Sequence, residues 1–176
     1  MKSRKVVIAA IVLAAICANV HAEALADFDA LVAHCREAFN ERPLSEVAYA
    51  EAAGSWVKRL YAPVSLAFHV QKTASRVSPF VAQIEVTEVA SARRGEDENA
   101  ARALNVSMDE NVIRSVRRIN FAYQDDAWVA LSGSAVIEVR RDAEDRFSLA
   151  ESIKLSRDAV MELKGPMATC VVASRR

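Results

Sequence analysis

The chain is short of most residues that advertise chemistry. It has three histidines and three cysteines in 176 residues. A metal centre wants three or four protein ligands, so no metal and no cofactor is expected. Basic and acidic residues balance at 23 each, whereas a nucleic-acid or anionic-membrane footprint calls for a strong basic excess. Four glycines and four prolines leave no low-complexity tract or linker, and no internal repeat divides the chain. The one long apolar run, residues 6–18, has 13 residues, well short of the roughly 20 needed to span a bilayer.

That run belongs to a leader. Lys2, Arg4 and Lys5 precede it, and Val20 and Ala22 place short side chains three and one positions before a cut after Ala22. Residues 1–22 therefore read as a cleavable signal peptide. Residues 23–176 read as a single exported domain, periplasmic or secreted, with no stable membrane anchor after cleavage. Cys17 raises lipoprotein processing, but Ile16 stands where a small residue is required. Cleavage leaves 154 residues, within the usual single-domain range of roughly 50 to 250. Because three bases and no acid leave with the leader, 20 basic residues face 23 acidic ones. Two cysteines remain, Cys35 and Cys170. In an oxidising compartment they are expected to pair, tying an early helix to the C-terminal tail.

The first element is an amphipathic helix over 24–39, with Leu25, Phe28, Leu31, Val32, Cys35 and Phe39 at three- and four-residue steps. The alanine-rich stretch 45–61 puts Ala48, Ala52, Trp56 and Leu60 on one side. It predicts a second helix with Ser45 as N-cap and a break or kink at Gly54. The period then changes to two. Val64, Leu66, Phe68 and Val70 predict one strand, and Phe80, Ala82, Ile84 and Val86 its antiparallel neighbour.

Residues 93–111 read as a charged excursion with one helical turn near 100–104. Strands over 113–124 and 128–131 flank Asp125 and Asp126, a tight hairpin signal, with a bulge expected near Arg117. Gly133 and Ser134 allow a bend before a strand over 135–140 and a turn at 142–145. A strand over 147–155 follows, with Phe147, Leu149, Ile153 and Leu155 on one face; a helix is the alternative, since Leu149 and Ile153 are also four apart. Ser156 then caps a helix over 157–164, stopped by Gly165 and Pro166. The expected class is α+β: N-terminal helices packed on a curved antiparallel sheet of about five strands. Its outline is similar to cystatin-like or nuclear-transport-factor-like folds, a comparison of element order only.

Constellations of reactive residues dissolve on inspection. His34 and Cys35 are neighbours on a helix and splay about 100° apart. His69 has no carboxylate at strand spacing. Ser55 and Lys58 make a bare Ser-x-x-Lys without its companion motifs. The acid pairs Asp109–Glu110 and Asp125–Asp126 fall in turns. The arginine pairs at 93–94, 117–118 and 140–141 place one charge on each sheet face.

One stretch stands apart. Lys72, Thr73, Ser75, Val77, Ser78, Pro79 and Phe80 spell Lys-Thr-x-Ser-x-Val-Ser-Pro-aromatic. This resembles a motif of small exported bacterial proteins of unknown function. The likeness extends to residues 123–128, where such proteins show an acid-glycine turn before tryptophan and this chain has Asp126 in place of the glycine. It covers about a third of the chain and implies no activity. Hydroxyls at Thr73, Ser75 and Ser78 suit a structured turn, and binding residues favour loops on a rigid frame. Lys72, Thr73, Ser75, Ser78, His69 and Arg117 are accordingly the candidate binding residues.

The expected function is a non-enzymatic binding module for an unknown protein or small ligand. The alternatives are a small enzyme or carrier with a pocket inside the sheet, for which His69, Tyr123 or Arg117 would point inward, and an envelope assembly component.

Overall fold

A computed structural model describes residues 4–140 and 146–172 and, within these, the side chains from Ala22 onward apart from Ala52. The expected turn at 142–145 lies outside them, as do the side chains of most of the expected leader. The architecture is α+β, with an N-terminal helix against an antiparallel sheet of seven strands.

The first helix, α1 (Arg4–Asn40), ends where Pro43 can neither donate nor keep a helical neighbour. Its buried face is the one the periodicity named: Phe28, Leu31, Val32, Cys35 and Phe39, joined by Ala24. Phe28 is its anchor. The ring meets Trp128 at 4.7 Å and Phe121 edge-on at 5.6 Å between centroids, and truncating so buried a phenylalanine costs about 3–5 kcal/mol.

The second expected helix is a hairpin. Strand β1 (Ser45–Ala50), a 3-10 turn (Glu51–Ala53) and β2 (Ser55–Tyr61) occupy the alanine-rich stretch, and Ser45 opens a strand rather than capping a helix. Gly54 explains the difference: at φ 60° and ψ 29° it is left-handed, a conformation that closes a turn between strands. The four-residue spacing of Ala48, Ala52, Trp56 and Leu60 fits a helix, but an alanine run packs equally well on a sheet. Here the edge of a longer strand supplies the hydrogen bonds. Tyr49 faces Trp56 across the hairpin, rings 5.8 Å apart.

Strand β3 (Ser65–Lys72) and β4 (Phe80–Gly95) are the expected antiparallel neighbours, although β4 runs well past the predicted end and takes in Arg93 and Arg94. Both β2 and β3 pair with the same edge of β4, interrupted around Pro63. The excursion carries α2 (Glu98–Ala103), capped by Asp97, whose carboxylate accepts from the Ala100 N–H at 2.7 Å. Strands β5 (Val112–Gln124) and β6 (Ala127–Arg140) form the hairpin that the two aspartates announced, with Asp125 at φ 49° and Asp126 at φ 57°. Both central residues are left-handed, as the favoured two-residue hairpin turn demands.

The bulge lies elsewhere than expected. The register slips between Asn120 and Phe121, leaving Leu131 of β6 as the extra residue, while Arg117 pairs regularly with Ala135. Arg117 breaks the hydrophobic alternation because it is a charged residue on the inward face, and the backbone there is regular.

The last strand, β7 (Ser148–Leu155), is an edge. Its single expected face is split by a register shift opposite Ile137 and Glu138, which leaves Leu149 66% exposed. Helix α3 (Arg157–Met161) is capped by Ser156 as expected but is shorter, and Pro166 starts α4 (Pro166–Thr169) rather than only stopping a helix. Helix α4 packs on α1, and the disulfide Cys35–Cys170 joins them across 135 residues, both cysteines fully buried.

Candidate functional site

Read in register, the helix side of the sheet is a stack of rows. Ala82, Phe121 and Ala130 make one row, and Ile84, Ile119, Gly133 and Leu155 the next. These lie under α1 and α3. Above them come Val86, Arg117, Ala135 and Ile153, then Glu88, Ser115 and Ile137, then Tyr61, Ala90, Ile113 and Val139. The helices stop near the middle of this stack, at Phe39 and Met167, and the long strands continue beyond. Small side chains at Ala90, Ala92 and Ser115 leave room above the sheet.

Two adjoining cavities fill that room. The inner one, about 370 Å³, lies between Phe39, Arg42 and Met167 on the helix side and Tyr61, Glu88 and Arg117 on the sheet, with the exposed Lys164 also lining it. The outer one, about 550 Å³, is lined by Val57, Ala92, Ile113 and Val139, with Arg94 and Arg140 at its end. Arg59, Ala92 and Ile113 border both, so together they form one trough.

Its polar centre is a carboxylate shared by two guanidinium groups. Glu88 accepts from Arg42 through one oxygen and from Arg117 through the other. Glu88 and Arg42 keep only 13% and 14% of their side-chain surface, and Arg117 keeps 31%. Arg42 also sits over the Tyr61 ring, 3.8 Å from its centroid, a cation–π arrangement that holds the group in place. The Tyr61 hydroxyl donates to Glu46, which pairs in turn with Arg59 at 3.1 Å. Burial, followed by that hydrogen bond to Glu46, pushes the Tyr61 phenol up to about 12. The phenol thus remains a neutral donor across the physiological range. The Ser115 hydroxyl, opposite Glu88, is buried without a hydrogen-bond partner among the described residues.

The expected site residues are not brought together. Arg117 enters the trough. His69 pairs with Gln83 on the opposite face of the sheet and is exposed. Tyr123 does point inward, but into the apolar core against Trp128, and burial, then Asp126, raises its phenol.

Around the loop, the hydroxyls are consumed locally. Thr73 donates to the Ser78 carbonyl and accepts from the Ser75 N–H. Ser75 accepts from the N–H groups of Val77 and Ser78, and the Ser78 hydroxyl accepts from Gln124 at 2.7 Å. Lys72 is exposed at its edge. These hydrogen bonds fold the loop onto itself and onto the Asp125–Asp126 hairpin.

Arg42, Glu88, Arg59, Tyr61 and Lys164 escaped the sequence reading. One signal was present. Glu88 continues the inward alternation Phe80, Ala82, Ile84, Val86, and Arg117 continues Tyr123, Phe121, Ile119. A charge on each of two inward registers marks the place where the core gives way to something polar. The arginine pairs divide between faces as alternation requires: Arg117 reaches Glu88 in the trough, and Arg118 bonds Glu85 at 2.6 Å on the other side.

No family model, curated protein or solved structure matches this chain.

Proposed function

We propose that this chain is an exported, non-enzymatic binding protein whose ligand lies in the trough on the helix side of the sheet. The carrying observation is the trough itself: two adjoining cavities of about 370 and 550 Å³ over small side chains, with an arginine pair held in position at its centre. Pockets with an apolar lining and a few convergent polar groups are where ligands bind. Export is supported by the leader's composition and by the buried disulfide, a bond that persists in oxidising compartments. The first side chain that the described residues bury is Ala24, two positions after the expected cut. The likeness of residues 72–80 to small exported bacterial proteins points to the same setting.

Native mass spectrometry after mild extraction from the envelope tests the reading. The wild type is expected to carry a bound species, or to retain a partner, that Ala92→Trp loses, because an indole there fills the trough. Equal retention by both proteins would refute it.

A second reading, a small enzyme or carrier, draws on the inward Arg117 and on Tyr61 beside it. It predicts that an extracted ligand is chemically altered on incubation with the protein. An assembly role would use the other edge, where Leu149, Ile153 and Met161 are exposed. It predicts a stable oligomer that a charge at Leu149 disperses.

A further inference from the structure

We infer that the trough takes an amphipathic anion: one acidic head group at the inner end and an apolar body along the outer cavity. The inference rests on the trough being a binding site and adds the chemistry of what it binds.

The inner end holds more positive charge than its own acids neutralise. Glu88 is the only carboxylate lining the inner cavity among the described residues, and it serves both Arg42 and Arg117. Arg59 is matched by Glu46 behind it, whereas Lys164 has no ion-pair partner among the described residues. Two half-buried guanidinium groups on one carboxylate leave one positive charge poorly solvated, and Lys164 adds another at the margin. Burying charge without compensation is costly, so a second anion placed here improves the balance. The donors are ready for it. A guanidinium has five N–H groups, and the contacts with Glu88 engage one nitrogen of each arginine. The stacking on Tyr61 and the bond to Glu88 hold Arg42 in place.

The outer end offers more apolar surface, although arginines line it as well. Val57, Ala92, Ile113 and Val139 lie there beside Arg59, Arg93, Arg94 and Arg140, and Ile113 keeps 37% of its surface exposed although it lies on the inward face of a central strand. An isoleucine there awaits a cover. A ligand whose acid meets Arg42, Arg117 and Lys164 and whose hydrocarbon runs past Ala92 to Ile113 satisfies both ends at once.

The experiment is calorimetric titration of the mature, oxidised protein with dodecanoate and with dodecanol, each below its aggregation limit. Dodecanoate is expected to bind at least tenfold tighter than dodecanol. Arg117→Gln leaves Glu88 paired one to one with Arg42, so it should weaken dodecanoate at least tenfold and leave dodecanol unchanged. Lys164→Gln, at an exposed position that does not threaten the fold, should weaken dodecanoate severalfold. Glu88→Gln should act in the opposite direction and tighten dodecanoate, because it frees both arginines.

Equal affinity for the acid and the alcohol would overturn the inference while leaving an apolar binding trough intact. Binding of neither probe would also overturn it. In that case the loss or retention of the native bound species in Ala92→Trp still decides the broader reading. If Arg117→Gln fails to fold, unchanged dodecanoate affinity in both Lys164→Gln and Glu88→Gln would sink the proposal.

Discussion

The indole N–H of Trp128 donates to the carbonyl oxygen of Ala24 at 2.8 Å, joining the β5–β6 hairpin to the helix only two residues beyond the expected cleavage point. Trp128 is buried and also packs on Phe28, so the helix from Ala24 to Phe28 is held by a polar and an aromatic contact together. Protein isolated from its native compartment should begin at Glu23 by mass spectrometry. Deleting residues 1–22 should leave the unfolding midpoint unchanged, and extending the deletion through Phe28 should abolish cooperative unfolding. Trp128→Phe keeps most of the ring and loses the hydrogen bond. It is expected to cost about 1 kcal/mol in urea denaturation.

The disulfide closes a loop of 135 residues between α1 and α4. On the chain-entropy account such a closure stabilises by up to about 4–5 kcal/mol, and measured values run lower. The paired Cys35→Ser and Cys170→Ser variant should therefore unfold at markedly lower denaturant. Reducing the wild type should bring its midpoint to the same place. A wild type indifferent to reductant would contradict the assignment.

Tyr61 links pH to stability at the alkaline end. Its folded value of about 12 lies above the ordinary 10, chiefly because burial disfavours the phenolate and then because Glu46 accepts its proton. A group raised on folding contributes stability that is complete below pH 10 and fades as pH climbs towards 12. Tyr61→Phe should flatten that decline, measured as unfolding midpoint against pH from 9 to 12. An unchanged slope would show that the decline comes from other groups, Tyr123 among them.

The loop at 72–79 is a structural turn in its hydrogen bonds. Thr73→Ala should speed amide exchange at Ser75, and Ser75→Ala at Val77 and Ser78, because each removes the acceptor of those N–H groups. Neither substitution, nor Lys72→Ala or His69→Ala, should alter retention of the trough's occupant. Loss of that occupant in Ser75→Ala would move the contact surface to the loop.

Gly95 lies under α2, where an added Cβ would come within 2.4 Å of the Ala101 backbone nitrogen. Gly95→Ala forces the short helix off the sheet and should destabilise by about 1–3 kcal/mol. Arg93 and Lys58, which donate to backbone carbonyls of the α2 segment, should become more mobile with it. A substitution without thermal effect would show that this segment rearranges freely.

What could be read from residue order was set by local rules. The helix over 24–39 announced itself because six apolar side chains recur at its own period, and the hairpin at Asp125–Asp126 because those residues tolerate left-handed backbone. The stretch 45–61 misled because alanine spacing suits a helix while pairing with a distant strand decides the outcome. That strand, β4, pairs with it from 29 to 39 positions away. The bulge was misplaced for a related reason: a charge inside an apolar alternation looks like a register error until its partner is known.

The amino-acid order by itself determined the class of fold, the pairing of Cys35 with Cys170 and the division of the Arg117–Arg118 doublet between the two sheet faces. These follow from composition, periodicity and alternation, all local properties of a chain. Only the tertiary structure decided that Arg42 from a helix end, Glu88 from β4 and Arg117 from β5 meet over a floor of small side chains. A shared carboxylate depends on three-dimensional distance between residues 46 and 29 positions apart, and no periodicity along the chain encodes it.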